Sequence, residues 1–209
     1  MLDLDQALAE ITAIRTQIAR SAEFRGYGPA TVAITGLLAL VVAAAQARLV
    51  PHPARDFMLY LELWIASAAL SATLIGFEMV TRSQRAHSRL AEEMMWTAVA
   101  QFLPAAAAGV LLTAVLVLFA PATLWMIPGL WQIIFSLGVF ASCRFLPRAS
   151  YGVGAWYLAT GLACLIWARD ANAFSPWAMG IPFGFGEVLA AAVLYLNVEQ
   201  QVGQKDGLA

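Results

Sequence analysis

Residues 105–119 read AAAAGVLLTAVLVLF, a run in which Thr113 is the one polar side chain. A surface helix of a soluble protein carries a polar face; a segment apolar all round is buried in a large core or spans a bilayer. Carried back to residue 94, the run exceeds the ~20 residues that cross the hydrocarbon. Forward of it, Phe119-Ala120-Pro121-Ala122 is short and uncharged, so it must be a tight hairpin turn, after which a second apolar segment begins. Working outward in both directions gives six spans, at 30–49, 57–80, 94–119, 122–143, 150–168 and 177–198. The fifth is the weakest, because Gly152, Gly154 and Gly161 lower its helix propensity. The expected fold class is therefore all-α: a polytopic membrane helix bundle of six transmembrane helices.

Composition agrees. Hydrophobic residues make up 61% of the 209-residue chain and charged residues 12%, against about 25% charged in soluble proteins. A core of this size cannot use so much apolar side chain, so the surplus faces lipid. The charges sit between the spans. Arg15, Arg20, Arg25, Arg82, Arg85, Arg89, Arg144, Arg148 and Lys205 fall on one side, and Arg48, Arg55 and Arg169 on the other. By the positive-inside rule both termini are cytoplasmic. Tyr60, Trp64, Trp125, Trp167 and Trp177 then belong near the outer interface, where amphipathic rings collect. The expected localisation is the bacterial plasma (inner) membrane; the preference for Arg over Lys fits a GC-rich genome.

Ahead of the first span, Leu4, Leu8, Ile11, Ile14 and Ile18 recur at helical steps among Asp5, Glu10, Arg15 and Arg20, the pattern of an amphipathic helix. Asp3 followed by Gln6 resembles a capping box. This helix, residues 3–22, is too polar to span; it lies on the membrane, packs beneath the bundle, or pairs with a second copy or a cytoplasmic partner. The chain thus divides into 1–28 (amphipathic cytoplasmic or interfacial helix and turn), 29–198 (transmembrane domain) and 199–209 (short cytoplasmic tail). Met1-Leu2-Asp3-Leu4-Asp5 lacks the pattern of a cleaved signal, so the first span directs insertion.

An ionisable group at membrane depth costs about 2.5–3.5 kcal/mol at mid-helix on insertion scales, which makes it a candidate site. Glu187 is the foremost, near the midplane of the sixth span and preceded by Gly180-Ile181-Pro182-Phe183-Gly184-Phe185-Gly186. Pro182 frees a backbone carbonyl and the glycines permit close helix approach. Gln132 follows Pro128-Gly129 in the fourth span at a comparable depth, and the two side chains could hydrogen-bond across neighbouring helices. Such a bond would serve a proton or cation site, anchor a small ligand, or simply glue two helices. Glu62, in the outer third of the second span, is the third candidate and can reach toward Arg55. Glu78 precedes Arg82 by four residues, the spacing of a helical ion pair. The cluster Arg82, Arg85 and Arg89 can contact anionic headgroups or an acidic partner, or be an ordinary solvated loop.

Cys143 and Cys164 fall near opposite membrane faces and are not expected to pair. No metal-ligand spacing, nucleophile elbow, phosphate loop or basic-aromatic interleaving is present. No metal, no cofactor, no catalytic residue and no nucleic-acid partner is expected, and the protein is expected not to be an enzyme.

Ile14-Arg15 through Ser21 and Phe24, followed by Thr35-Gly36-Leu37-Leu38-Ala39-Leu40, resembles an uncharacterised family of small bacterial six-span membrane proteins with an amphipathic N-terminal helix. Pro121-Ala122-Thr123, Met126-Ile127-Pro128-Gly129-Leu130-Trp131 and Gly180 to Glu187 are similar to that family as well. The resemblance implies the fold and assigns no residue a role. The leading functional expectation is a non-enzymatic accessory, sensory or regulatory bundle engaging a partner or itself through residues 3–22. The alternative is a small proton-coupled transporter or carrier using Glu187 and Gln132.

Overall fold

In a computed structural model the described residues are 28–86, 89–143 and 146–206. They form six long helices and no strand: α1 (Pro29–Leu49), α2 (Phe57–Ala86), α3 (Arg89–Phe119), α4 (Ile127–Ser142), α5 (Ser150–Trp167) and α6 (Pro176–Asp206). Short 3-10 turns at Pro121–Met126 and Asp170–Asn172 lead into α4 and follow α5. Five segments are long and apolar enough to cross a membrane: α1, α2, α3, α4 with its 3-10 lead-in, and α6. The amphipathic helix expected over residues 3–22 lies outside the described residues.

Proline places several of the starts. Pro29, Pro121 and Pro176 open their helices, where the missing N–H has no intrahelical partner to lose. The hairpin between the third and fourth spans is tight, as expected: α3 stops at Phe119, Ala120 leaves helical geometry, and Thr123 N donates to Ala120 O at 2.9 Å. Other ends differ from the hydropathy limits. Helix α2 continues to Ala86 rather than 80, and α6 to Asp206 rather than 198. Backbone hydrogen bonding carries a helix on into water after its apolar side chains have ended.

The helices follow one another around the bundle in the order α2, α1, α6, α5, α4, α3, with α2 and α3 meeting only lightly. Small residues set the two closest crossings. A methyl group on Gly36 of α1 would stand 2.8 Å from the Gly184 carbonyl of α6. Between α4 and α5, Gly129 and Gly161 each lie where a Cβ would come 2.8 Å from the other's carbonyl oxygen. Such approach lets dispersion contacts hold helices together where no hydrophobic force acts between them. The outward faces are apolar. Val110 is 70% exposed, Leu118 71% and Phe119 78% on α3 alone, a surface that water would penalise and hydrocarbon accepts.

A buried cluster lies at the end holding the 50–56, 120–126 and 168–175 connections. Here Tyr60, Trp64, Phe174 and Met179 are buried against Ala39 and Ala43. This corrects the expected interfacial belt. Trp167 and Trp177 are exposed, but Tyr60 and Trp64 are interior residues, 0% and 4% exposed. Position along the span put all of them at one end; the face each occupies on its helix was not fixed by that count. The opposite end carries Arg82, Arg85 and Arg148, and is called the arginine end below.

Candidate functional site

Pro182 lies inside α6 and cannot donate to the carbonyl four residues back, that of Ala178. The orphaned oxygen is taken by Gln132, whose Nε2 donates to Ala178 O at 2.9 Å. The same nitrogen donates to Pro128 O at 3.1 Å and approaches the Met179 sulfur at 3.9 Å. With both amide protons committed to carbonyls, the amide cannot be turned round, and Oε1 points away with no partner among the described residues. Gln132 is fully buried. Its demonstrable work is to satisfy a backbone that proline interrupted.

Glu187 is not near it. Glu187 lies nine residues beyond Ala178 on α6, about 14 Å of helix at ~1.5 Å per residue. The Glu187–Gln132 hydrogen bond that comparable depth allowed is therefore absent: Gln132 meets α6 at Ala178 instead. The partner that sequence reading missed is Tyr157 of α5, whose hydroxyl donates to Glu187 Oε1 at 3.2 Å. Tyr157 stands ten residues before the end of α5 at Trp167, so equal depth from one face was the available signal. The Thr35 hydroxyl of α1 completes the set beside the same carboxyl, its own proton donated to Val32 O at 2.8 Å. Three helices thus meet at one partly buried carboxyl. Gly36 and Gly186 make room, since a Cβ on Gly186 would lie 2.5 Å from the Tyr157 ring.

A second polar network, also missed from sequence, ties the opposite half of α1 to the α5–α6 connection. Gln46, fully buried, donates Nε2 to Phe174 O at 2.8 Å and accepts the Trp64 indole proton at 2.8 Å. One side chain joins α1, α2 and the connection. Phe174 inserts its ring 5.0 Å from that of Tyr60 and 5.2 Å from that of Phe57. Its backbone is left-handed, φ 60°, as is that of Asp170, φ 48°. For a bulky residue such a conformation costs on the order of 1–3 kcal/mol and persists only where surroundings over-determine it. Aromatic packing and the Gln46 bond are those surroundings. Over the same connection, the Arg169 guanidinium lies 4.8 Å from the centre of the Trp125 ring, a cation–π contact.

The remaining candidates sit apart. Glu62 is exposed on α2, and among the described residues it forms no ion pair with Arg55. The expected helical pair is present: Arg82 donates to Glu78 Oε1 at 2.8 Å. Glu78 does more than the spacing implied, because its carboxylate also interacts with the Gly28 amide and the Thr31 hydroxyl at the start of α1. A carboxylate at a helix N-terminus answers both the unpaired amides and the dipole. Arg85 follows on the same helix; the side chain of Arg89 and residues 87–88 lie outside the described part. Cys143 and Cys164 are buried, unpaired thiols toward opposite ends of the bundle. Among the described residues no three His, Cys, Asp or Glu side chains gather.

The chain matches no protein-family model, no curated protein and no solved structure. The likeness noted for the first, fourth and sixth spans accordingly rests on the quoted segments alone.

Proposed function

We propose that this is a multi-pass protein of the bacterial inner membrane, with both termini cytoplasmic and α5 as a sixth crossing. It acts as a non-enzymatic accessory, sensory or regulatory bundle that engages a partner, or a second copy, through residues 3–22. Helix α5 has 18 residues, about 27 Å at 1.5 Å per residue, nearly the ~30 Å of the hydrocarbon. The nine-to-three distribution of basic residues supports the orientation. One observation carries the functional reading. Glu78 holds the first turn of α1 against α2, so whatever precedes Gly28 departs from a fixed point beside Arg82 and Arg85. A segment attached at a rigid point transmits displacement to the bundle, and the bundle to it. Deleting residues 1–22 is expected to reduce the particle size in detergent or abolish co-purification of a partner, with thermal stability of the bundle retained. Unchanged size and unchanged co-purification would refute the reading.

The Tyr157–Glu187 hydrogen bond favours a second reading, a proton-coupled carrier. Its polar site would comprise Glu187, Tyr157 and Thr35, with Gln132 committed elsewhere. A carboxyl placed between three helices at ~15 Å depth is where a proton relay would be built. Proton flux into liposomes, lost in Glu187→Gln, would establish it. Equal flux for both proteins would remove the carboxyl from any transport step and leave it a helix clamp.

A further inference from the structure

Glu62 lies five residues beyond the start of α2 at Phe57, about 8 Å along the helix at ~1.5 Å per residue. An ionisable side chain within a span ordinarily faces the bundle interior or an opposite charge. Glu62 instead faces outward, between the exposed Leu59 and Ile65. Among the described residues its carboxylate has no ion pair and no hydrogen bond. The same holds for the side chain of Arg55, exposed two residues ahead of α2. Nothing covers this side of the helix, because α2 packs along α1 and meets α3 only lightly. Below Glu62, steps of four, three, four and three residues lead to Ala66, Ala69, Thr73 and Gly76, one line along a helix. Ala66, Ala69 and Thr73 are exposed, and a methyl group added to Gly76 would meet nothing within 4 Å. The Thr73 hydroxyl is committed to Ala69 O at 2.8 Å. The outward face of α3 is different, with bulky Leu103, Val110 and Leu118 and no charge among them.

We propose that this face of α2 docks on the same face of a second copy of the chain, with Glu62 of each copy accepting from Arg55 of the other. Charge chooses the occupant. A two-fold interface requires a surface that complements itself, and this one carries one carboxylate and one guanidinium at the same end of one helix. Two copies inserted the same way lie parallel, so both pairs form at the same membrane face. Helix side chains lean toward the N-terminus of their helix, which carries Glu62 toward the level of Arg55. The small residues only permit the two backbones to approach; lipid tails would offer the carboxylate nothing. The surface is separate from residues 1–22 and from Glu187.

A charge swap in the full chain tests it, with dimerisation in lipid vesicles read by energy transfer between labelled copies. Glu62→Arg and Arg55→Glu each place like charges across the pair, and the dissociation constant rises at least about tenfold. The double variant, Glu62→Arg with Arg55→Glu, restores opposite charges and returns to within about threefold of wild type. That rescue also shows that the single variants had folded. Ala69→Cys, oxidised with copper phenanthroline in native membranes, gives a disulfide-linked dimer, whereas Val110→Cys on α3 does not. A chain that stays monomeric at every protein-to-lipid ratio, including one that retains an amine lipid through Glu62, overturns the proposal. So does a double variant as weak as the single ones. A dimer lost on deleting residues 1–22 yet indifferent to the charge swap assigns self-association to that segment, which overturns the present proposal and leaves the proposed function standing.

Discussion

Gln132→Leu should unfold this protein early, and Pro182→Ala should cure it. The single change takes the amide donor from Ala178 O, which Pro182 already deprives of a helical partner. The carbonyl of Pro128 keeps the backbone N–H four residues on, so the loss concerns one buried oxygen. Leaving a buried acceptor unmade costs about 1–3 kcal/mol, and more where the surrounding solvent is hydrocarbon. At roughly 2–4 °C per kcal/mol for a chain of this size, the midpoint falls by about 2–12 °C. In Gln132→Leu/Pro182→Ala the new Ala N–H donates to Ala178 O within α6, and most of that loss returns. The buried thiols Cys143 and Cys164 supply the assay: a thiol-reactive fluorogenic dye reports unfolding in detergent without added labels. A neutral Gln132→Leu, or a double variant no better than the single, would refute the claim that Gln132 exists to repair the proline.

The glycines separate into those that matter and those that do not. Gly161→Ala should destabilise by about 1–3 kcal/mol, since its Cβ would meet the Gly129 carbonyl at 2.8 Å, whereas Gly152, with nothing within 4 Å, should accept alanine with a gain of about 0.5–1 kcal/mol; paired melting curves decide. Gln46→Ala leaves both the Trp64 indole and Phe174 O unpaired. It should cost about 2 kcal/mol or more and speed proteolysis within residues 168–175; an unchanged cleavage rate would mean that aromatic packing alone holds that connection. Arg169→Ala removes an exposed cation–π contact with Trp125. It also removes the exposed bond from Arg169 Nε to Leu165 O at 2.9 Å; stability should shift by only ~0.5–1 kcal/mol, and a larger loss in denaturation would point to a partner of Arg169 beyond these two.

The spans were legible because hydrocarbon imposes a length and an apolar composition that few other constraints imitate. Pro29, Pro121 and Pro176 marked where helices start. What was not legible was rotation about each helix axis. Tyr60 and Trp64 were assigned to the right end of the bundle and the wrong environment, since a position along a span leaves its facing undetermined. The Glu187–Gln132 pairing failed for a related reason. Gln132 meets α6 at Ala178, nine residues before Glu187, and depth along an apolar run does not set which level of α6 faces a given residue of α4. Counting back from Trp167 would have put Tyr157 level with Glu187, a coincidence of ten and eleven residues that apolar pattern alone does not single out. The carbonyl freed by Pro182 was anticipated; its recipient was identifiable only once α4 and α6 had been set side by side.

The direct measurement is a topology scan with reporter fusions after residues 53, 87, 120, 145, 171 and 209, using one reporter active only in the cytoplasm and one active only outside it. Cytoplasmic activity at 87, 145 and 209, with outside activity at 53, 120 and 171, is the result expected of six crossings with the arginine end inward. Fusions at 145 and 171 reporting the same compartment would remove α5 from the membrane and, with it, the orientation assigned to Glu187, Tyr157 and the cytoplasmic C-terminus.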